Sequence, residues 1–145
     1  MLRRKVLFME LTKEQYEWLG KTILDCAFEV HKELGPGLFE SIYEECLCQE
    51  LRDRGIHVEN QVVLPVVYKG KKLNRAFRID VLVENAILVE VKSVSGIAAI
   101  DETQLVSYLR LANMRLGYLI NFNEILLKDG IRRKVNNFFY NKKEK

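Results

Sequence analysis

Two short runs of alternating residues, Phe77–Val83 and Ile87–Lys92, flank the triplet Glu84-Asn85-Ala86. Period-two alternation is a strand signal, so the pair reads as an antiparallel hairpin. A three-residue connection pairs Val83 with Ile87. Counting back, it sets Asp80 directly opposite Glu90 and Arg78 opposite Lys92. A two-residue connection would aim Asp80 and Glu90 at opposite faces. The apolar alternation selects the first register, because it stacks Ile79, Val81, Val83, Ile87, Val89 and Val91 on one face. Glu90 and Lys92, two apart, then point the same way.

Two carboxylates directly opposite in a sheet have Cβ atoms roughly 4.5–5.5 Å apart, and like charges there destabilise. Two arrangements offset that repulsion. One is a charge ladder, with Arg78 and Lys92 neutralising Asp80 and Glu90 diagonally. The other is a divalent cation, since Mg²⁺ takes oxygen ligands and commonly uses one or two carboxylates plus a substrate phosphate. Beside a cation, Lys92 can orient a water and stabilise charge growing on a phosphate.

Composition narrows the remaining classes. The chain has 145 residues, 48% hydrophobic and 30% charged, which suits one packed domain spanning 1–145 and argues against wholesale disorder. With 23 Lys and Arg against 20 Asp and Glu, bulk charge announces no nucleic-acid binder, and any such case rests on where the charges sit. No apolar run reaches the ~20 residues of a membrane helix, and Glu10 interrupts the N-terminal run too soon for a secretory signal. The odd number of cysteines, three, suggests reduced thiols in a cytoplasmic protein. With His31 and His57 the sole histidines, a bound metal is expected on oxygen.

Along the chain, Thr12-Lys13-Glu14-Gln15 fits a capping box opening a helix. Tyr16, Leu19, Ile23, Ala27, Val30 and Leu34 supply its apolar face, and Gly35-Pro36-Gly37 stops it. A second helix is expected from about Phe39 to Arg54, with Phe39, Ile42, Tyr43, Cys46, Leu47 and Leu51 as its apolar positions. Strands follow at Val58–Tyr68, 77–83 and 87–92, the first two joined by a turn at Lys69–Lys72. Next come a helix near Asp101–Ala112, with Asp101 and Gln104 placed for capping, and a buried strand, Leu116–Phe122. Asp129-Gly130 suits a tight turn, and the basic end from Asn141 reads as a polar tail. The order implies a mixed sheet covered by helices.

Other residues bear on chemistry. Glu40 and Tyr43 lie three apart on one helical surface, and Tyr43 suits either the core or the site. Gln104 and Tyr108, four apart, make an amphipathic edge or a groove lining that meets phosphate and stacks on a base. Basic clusters stand at Arg3-Arg4-Lys5, at Lys69, Lys71 and Lys72, and at Arg132-Arg133-Lys134. Each is an ordinary solvated patch alone, and together they can flank a phosphate backbone.

Gly37-Leu38-Phe39-Glu40-Ser41-Ile42-Tyr43, preceded by His31 and Leu34-Gly35-Pro36, resembles the Gly-x-x-Glu-x-x-Tyr signature of the GxxExxY protein family, within the PD-(D/E)XK nuclease-like superfamily. The resemblance runs from about Trp18 to Val135. It takes in Arg78-Ile79-Asp80, Glu90-Val91-Lys92, Gln104-x-x-x-Tyr108 and Gly117–Phe122, and departs in having Ile79 where the superfamily name has proline.

That resemblance implies a restriction-endonuclease-like α/β core of order α-β-β-β-α-β with an extra N-terminal helix. It also implies a Mg²⁺- or Mn²⁺-dependent hydrolase of nucleic-acid phosphodiesters, DNA before RNA. Asp80 and Glu90 would be metal ligands, joined by the Val91 carbonyl and by Glu40, directly or through water. Lys92 would be the catalytic lysine, with Tyr43, Gln104 and Tyr108 supporting the site or the nucleic-acid strand. A catalytically silent binding module of the same fold is the alternative. No membrane partner is expected, and monomer and homodimer both stay open.

Overall fold

The computed structural model describes residues 10–139. The N-terminal basic cluster and the tail from Asn141 lie outside them. Helix α1, Lys13–Leu34, opens on the expected capping box: Thr12 Oγ1 accepts from Gln15 N at 3.1 Å and the Gln15 side chain accepts from Thr12 N at 2.8 Å. Its buried face is Tyr16, Leu19, Ile23, Ala27 and Val30, with Gly20 and Cys26 added, while Leu34 is exposed. After the Gly35–Phe39 break comes α2, Glu40–Asp53. Tyr43, Leu47, Cys48 and Leu51 are buried there. Phe39 and Ile42, expected in the apolar set, are exposed, because Phe39 precedes the first turn and Ile42 falls on its outer side.

Among the described residues the sheet has five strands, in the order β1-β2-β3-β4-β5. These are Val58–Tyr68, Lys71–Val83, Ile87–Lys92, Leu116–Asn121 and Ile131–Val135. Among the described strands only β3 and β4 run parallel, joined through α3, Ala99–Ala112. The remaining neighbours are antiparallel. Helix α3 begins two residues before Asp101, so Asp101 caps from inside the first turn by accepting from Ala98 N at 3.1 Å. Gln104 therefore lies in the second turn and is not a cap.

Two apolar layers sandwich the sheet. Helices α1 and α2 cover one face, where Val81, Val83, Val89, Val91, Tyr118 and Ile120 meet them. Helix α3 covers the other through Leu105 and Leu109, packed on Phe77, Ile79, Leu82, Leu88 and Leu119. Strands β3 and β4 are covered on both sides and read as nearly continuous apolar runs for that reason. Close packing depends on glycine at several positions, Gly117 and Gly20 among them. A Cβ on Gly117 would stand 3.0 Å from Leu105 and 3.1 Å from Leu109, and one on Gly20 would collide with the Tyr118 hydroxyl.

The predicted three-residue turn is present, with Val83 paired to Ile87 and Val81 to Val89. Glu84 and Asn85 take the left-handed conformation it requires, at φ 51° and 52°. The expected single apolar face is not continuous, however. Val81 and Val83 pack toward α1 and α2, but Ile79 and Phe77 pack toward α3. β1 inverts at the same level, with Val58 on the α1–α2 side and Val62, Leu64 and Val66 on the α3 side. The inversion sits at Gln61, whose φ is 53°, and at Asp80 opposite it, where the pleat is interrupted.

β5 was not anticipated. It follows a 3-10 turn at Leu127–Gly130 that includes the expected Asp129-Gly130 pair. Its basic triplet is not a free patch. Lys134 and Arg132 pair with Glu102 at 2.8 and 3.6 Å, and Arg133 pairs with Glu17 at 2.8 Å. Alternation along the strand thus sends its cations to helices on both faces. All three cysteines are free thiols, and burial pushes those of Cys26 and Cys48 up to about 11. No helix of the described residues is long and apolar enough to cross a membrane.

Candidate metal and phosphate site

The β2–β3 ladder ends at Val81–Val89. The next pair would be Asp80 and Glu90, and there the strands part. β3 continues to Lys92 along β4, while β2 continues with β1, Ile79 opposite Val62 and Arg78 opposite Val63. Arg78 and Lys92 are therefore not a cross-strand pair, contrary to the sequence expectation. The parting strands leave a notch, and side chains complete the hydrogen bonding the backbone gives up. The Val91 N–H donates to Asp80 Oδ2 at 2.9 Å, and the Asp80 N–H donates to Glu90 Oε1 at 3.4 Å. Each acid thus engages the other strand's backbone, and the two carboxyl groups are neighbours.

Glu90 is buried, at 7% exposure. Burial first, and the Asp80 charge second, push its carboxyl well above the usual range, while Lys92 pulls weakly the other way. The neutralising ladder is absent: among the described residues neither Arg78 nor Lys92 comes within ion-pair distance of Asp80 or Glu90. An uncompensated buried carboxylate costs several kcal/mol. The site therefore holds either an extra proton or a cation.

Helix α2 reaches the notch from one side. Tyr43 is fully buried, stacks on Phe122 at 4.6 Å between ring centres, and ties the preceding loop. Its hydroxyl donates to the Gly35 carbonyl at 2.5 Å and accepts from Leu38 N at 3.1 Å. Ser93, just past β3, donates through its hydroxyl to the Leu38 carbonyl at 2.6 Å, and its N–H faces Glu40 Oε2 at 3.4 Å. Tyr43 and Ser93 together set Glu40 beside the end of β3. Glu44, one turn further, takes hydrogen bonds from Gln61 at 2.8 Å and Asn60 at 3.4 Å. Burial, opposed by those bonds and aided by Asp80 and Glu40, raises its carboxyl.

From the α3 side, Tyr108 is half-buried against Phe77, 4.8 Å between ring centres. Burial raises its hydroxyl, and the charges of Glu90, Lys92 and Asp80 all reach it. Gln104 is exposed one turn earlier on α3.

Sequence reasoning missed Glu44 and Asn121. The first is four residues after Glu40 on the same helical face. The second is a polar residue in an apolar strand, and each was a usable signal. Buried Asn121 clamps the chain leaving β3: Val94 N donates to Oδ1 and Nδ2 donates to the Val94 carbonyl, both at 3.0 Å.

Asp80 and Glu90 suit a hard divalent cation, for which two carboxylates plus a carbonyl, waters and a phosphate are an ordinary ligand set. Among the described residues, no three His, Cys, Asp or Glu side chains gather into a cage of protein ligands alone.

The profile of the PD-(D/E)XK nuclease superfamily matches residues 17–134. The chain belongs to the PD-(D/E)XK nuclease superfamily. The matched span includes Ile79-Asp80 and Glu90-Val91-Lys92. The mixed five-stranded sheet between helices is the superfamily's restriction-endonuclease-like α/β fold. The chain is also similar to the protein in a structure titled "Crystal structure of SSO0001", at 19% identity and a TM-score of 0.44, over 91% of this chain and 71% of that one. No curated protein matches it.

Proposed function

We propose that this member of the PD-(D/E)XK superfamily is a Mg²⁺- or Mn²⁺-dependent nuclease cleaving phosphodiester bonds of DNA. One observation carries the reading: Glu90 is buried against Asp80, without a cationic partner among the described residues, where two strands separate. The segment Gly37-x-x-Glu40-x-x-Tyr43 supports placing it in the GxxExxY family.

Asp80, Glu90 and the Val91 carbonyl would hold the cation, with Glu40 joining directly or through a water. When bound, the cation supplies Lewis-acid stabilisation of charge on the phosphoryl oxygens and the leaving oxygen. The Val91 amide anchors Asp80 through Oδ2, which would leave the other oxygen to the cation. Glu90 would hold the cation as the deprotonated carboxylate. Lys92 orients the attacking water in line with the phosphorus and offsets charge on the phosphate. Tyr108 and Gln104 border the path of the nucleic-acid strand.

The test is cleavage of single- and double-stranded DNA and RNA under Mg²⁺ and Mn²⁺. The wild type is expected to cut and Lys92→Ala to lose at least about a hundredfold in rate. Equal rates would overturn the role of Lys92. No cleavage by the wild type with any substrate would favour the silent binding module.

A further inference from the structure

From Asn60 to Ile79 the chain carries no acid and five cations: Lys69, Lys71, Lys72, Arg75 and Arg78. The rest of the molecule has 18 Lys and Arg against 20 Asp and Glu, so this one segment holds the whole positive excess. The structure makes it a two-stranded arm. Beyond Asp80, β1 and β2 pair only with each other, from Val62–Ile79 out to Tyr68–Lys71, past the point where β3 leaves. All five cations are exposed, and none forms an ion pair with a described acid.

The two faces of the arm differ. One rests on α3 through Val62, Leu64, Val66 and Phe77. The other is uncovered. Val63 and Val67 are more than half exposed there, and a hollow of about 330 Å³ is lined by residues including Val63, Pro65, Lys72 and Arg75. At the tip, Lys69 lies over the exposed Tyr68 ring, 5.5 Å from its centre. The arm starts at the notch, since Arg78 is two residues from Asp80. From Arg78 to Lys72 a strand spans roughly 20 Å.

We infer that the β1–β2 arm is a phosphate-backbone clamp, holding the nucleic acid that leads away from the cleaved bond. The inference rests on the nuclease reading for its substrate and on the arm's own charge for its location. Cations without acidic neighbours bind phosphates by releasing counterions, which needs no base contacts and makes affinity steeply salt-dependent. The clamp is therefore insensitive to sequence. The occupant is DNA, as in the nuclease reading, and the RNA probes report how far the same phosphate chemistry extends.

The experiment uses the full chain in EDTA, so that binding is read without cleavage. Fluorescent duplex DNA, duplex RNA and single strands of each are titrated across a salt series. The arm variant combines Lys69→Gln, Lys71→Gln, Lys72→Gln and Arg75→Gln. A control removes equal charge elsewhere, at exposed Lys13, Lys32, Arg110 and Lys128. The arm variant is expected to bind at least about tenfold more weakly and to flatten the slope of log affinity against log salt by about 3–4, near 0.9 per lost duplex contact. The control should change affinity less than about threefold. Equal effects of the two variants, or a wild type that binds none of the four nucleic acids, would overturn the clamp. Arm-dependent binding by a wild type that cleaves nothing with Mg²⁺ or Mn²⁺ would keep the clamp and sink the nuclease reading alone.

Discussion

The Asp80 carboxylate accepts the Val91 amide at 2.9 Å, filling a place on β3 that the backbone of β2 no longer reaches. This one bond explains how two strands can part without leaving an orphaned buried amide. It also fixes an acid at the apex of the opening and leaves buried Glu90 beside it.

Proton binding at this pair gives the pH dependence its sign. The Glu90 carboxyl is raised to about 8, so the folded protein holds a proton that the unfolded chain has already released. Between the ordinary glutamate range and about 8, the native state binds more protons, and stability falls as pH rises. Chemical denaturation in EDTA should show the wild type losing stability from pH 5 to pH 9. Glu90→Gln should flatten that slope and be more stable at pH 9, by about 1–3 kcal/mol.

The same proton opposes the cation. Uptake of Mn²⁺ should tighten with rising pH and level off above about 8, releasing close to one proton per site near neutrality. Titration calorimetry in buffers of different ionisation enthalpy measures that proton directly.

Tyr43 is buried and ties the Gly35–Leu38 loop that leads into Glu40. Tyr43→Phe keeps the stack on Phe122 but loses both hydroxyl bonds to the Gly35–Leu38 loop. Stability should fall by about 1–3 kcal/mol, measured by urea unfolding.

Much of this arrangement was legible in the sequence. The triplet Glu84-Asn85-Ala86 with its flanking apolar residues determined the register, and the register brought Asp80 to Glu90. Thr12 and Gln15 marked the start of α1 because a capping box is a local device. The inversion at Gln61 and Asp80 was not legible, since alternation assumes an unbroken pleat. β5 was hidden because Arg132, Arg133 and Lys134 satisfy an edge strand through ion pairs and give no apolar signal. At the outer end of β2, Lys71 and Lys72 read as turn and residues 73–76 carried no strand signal, because that end is exposed and packs little.

Asn121 closes the chain at the end of β3. Asn121→Leu should cost about 2–4 kcal/mol, because Val94 would lose both partners in a buried setting. Unfolding should remain cooperative, with cleavage reduced through the displaced turn after Lys92.

Gly117 lets α3 lie on β4. Gly117→Val should destabilise by about 1–3 kcal/mol through contact with Leu105, Leu109 and the Leu88 carbonyl, and a thermal melt reads it.

Calorimetric titration of Mn²⁺ into the wild type and Asp80→Asn at pH 8 tests the central claim most directly. The account predicts saturable uptake by the wild type and its loss in the variant, with the variant folded and no less stable in EDTA. Uptake of equal strength in both proteins, or none in the wild type, would contradict it.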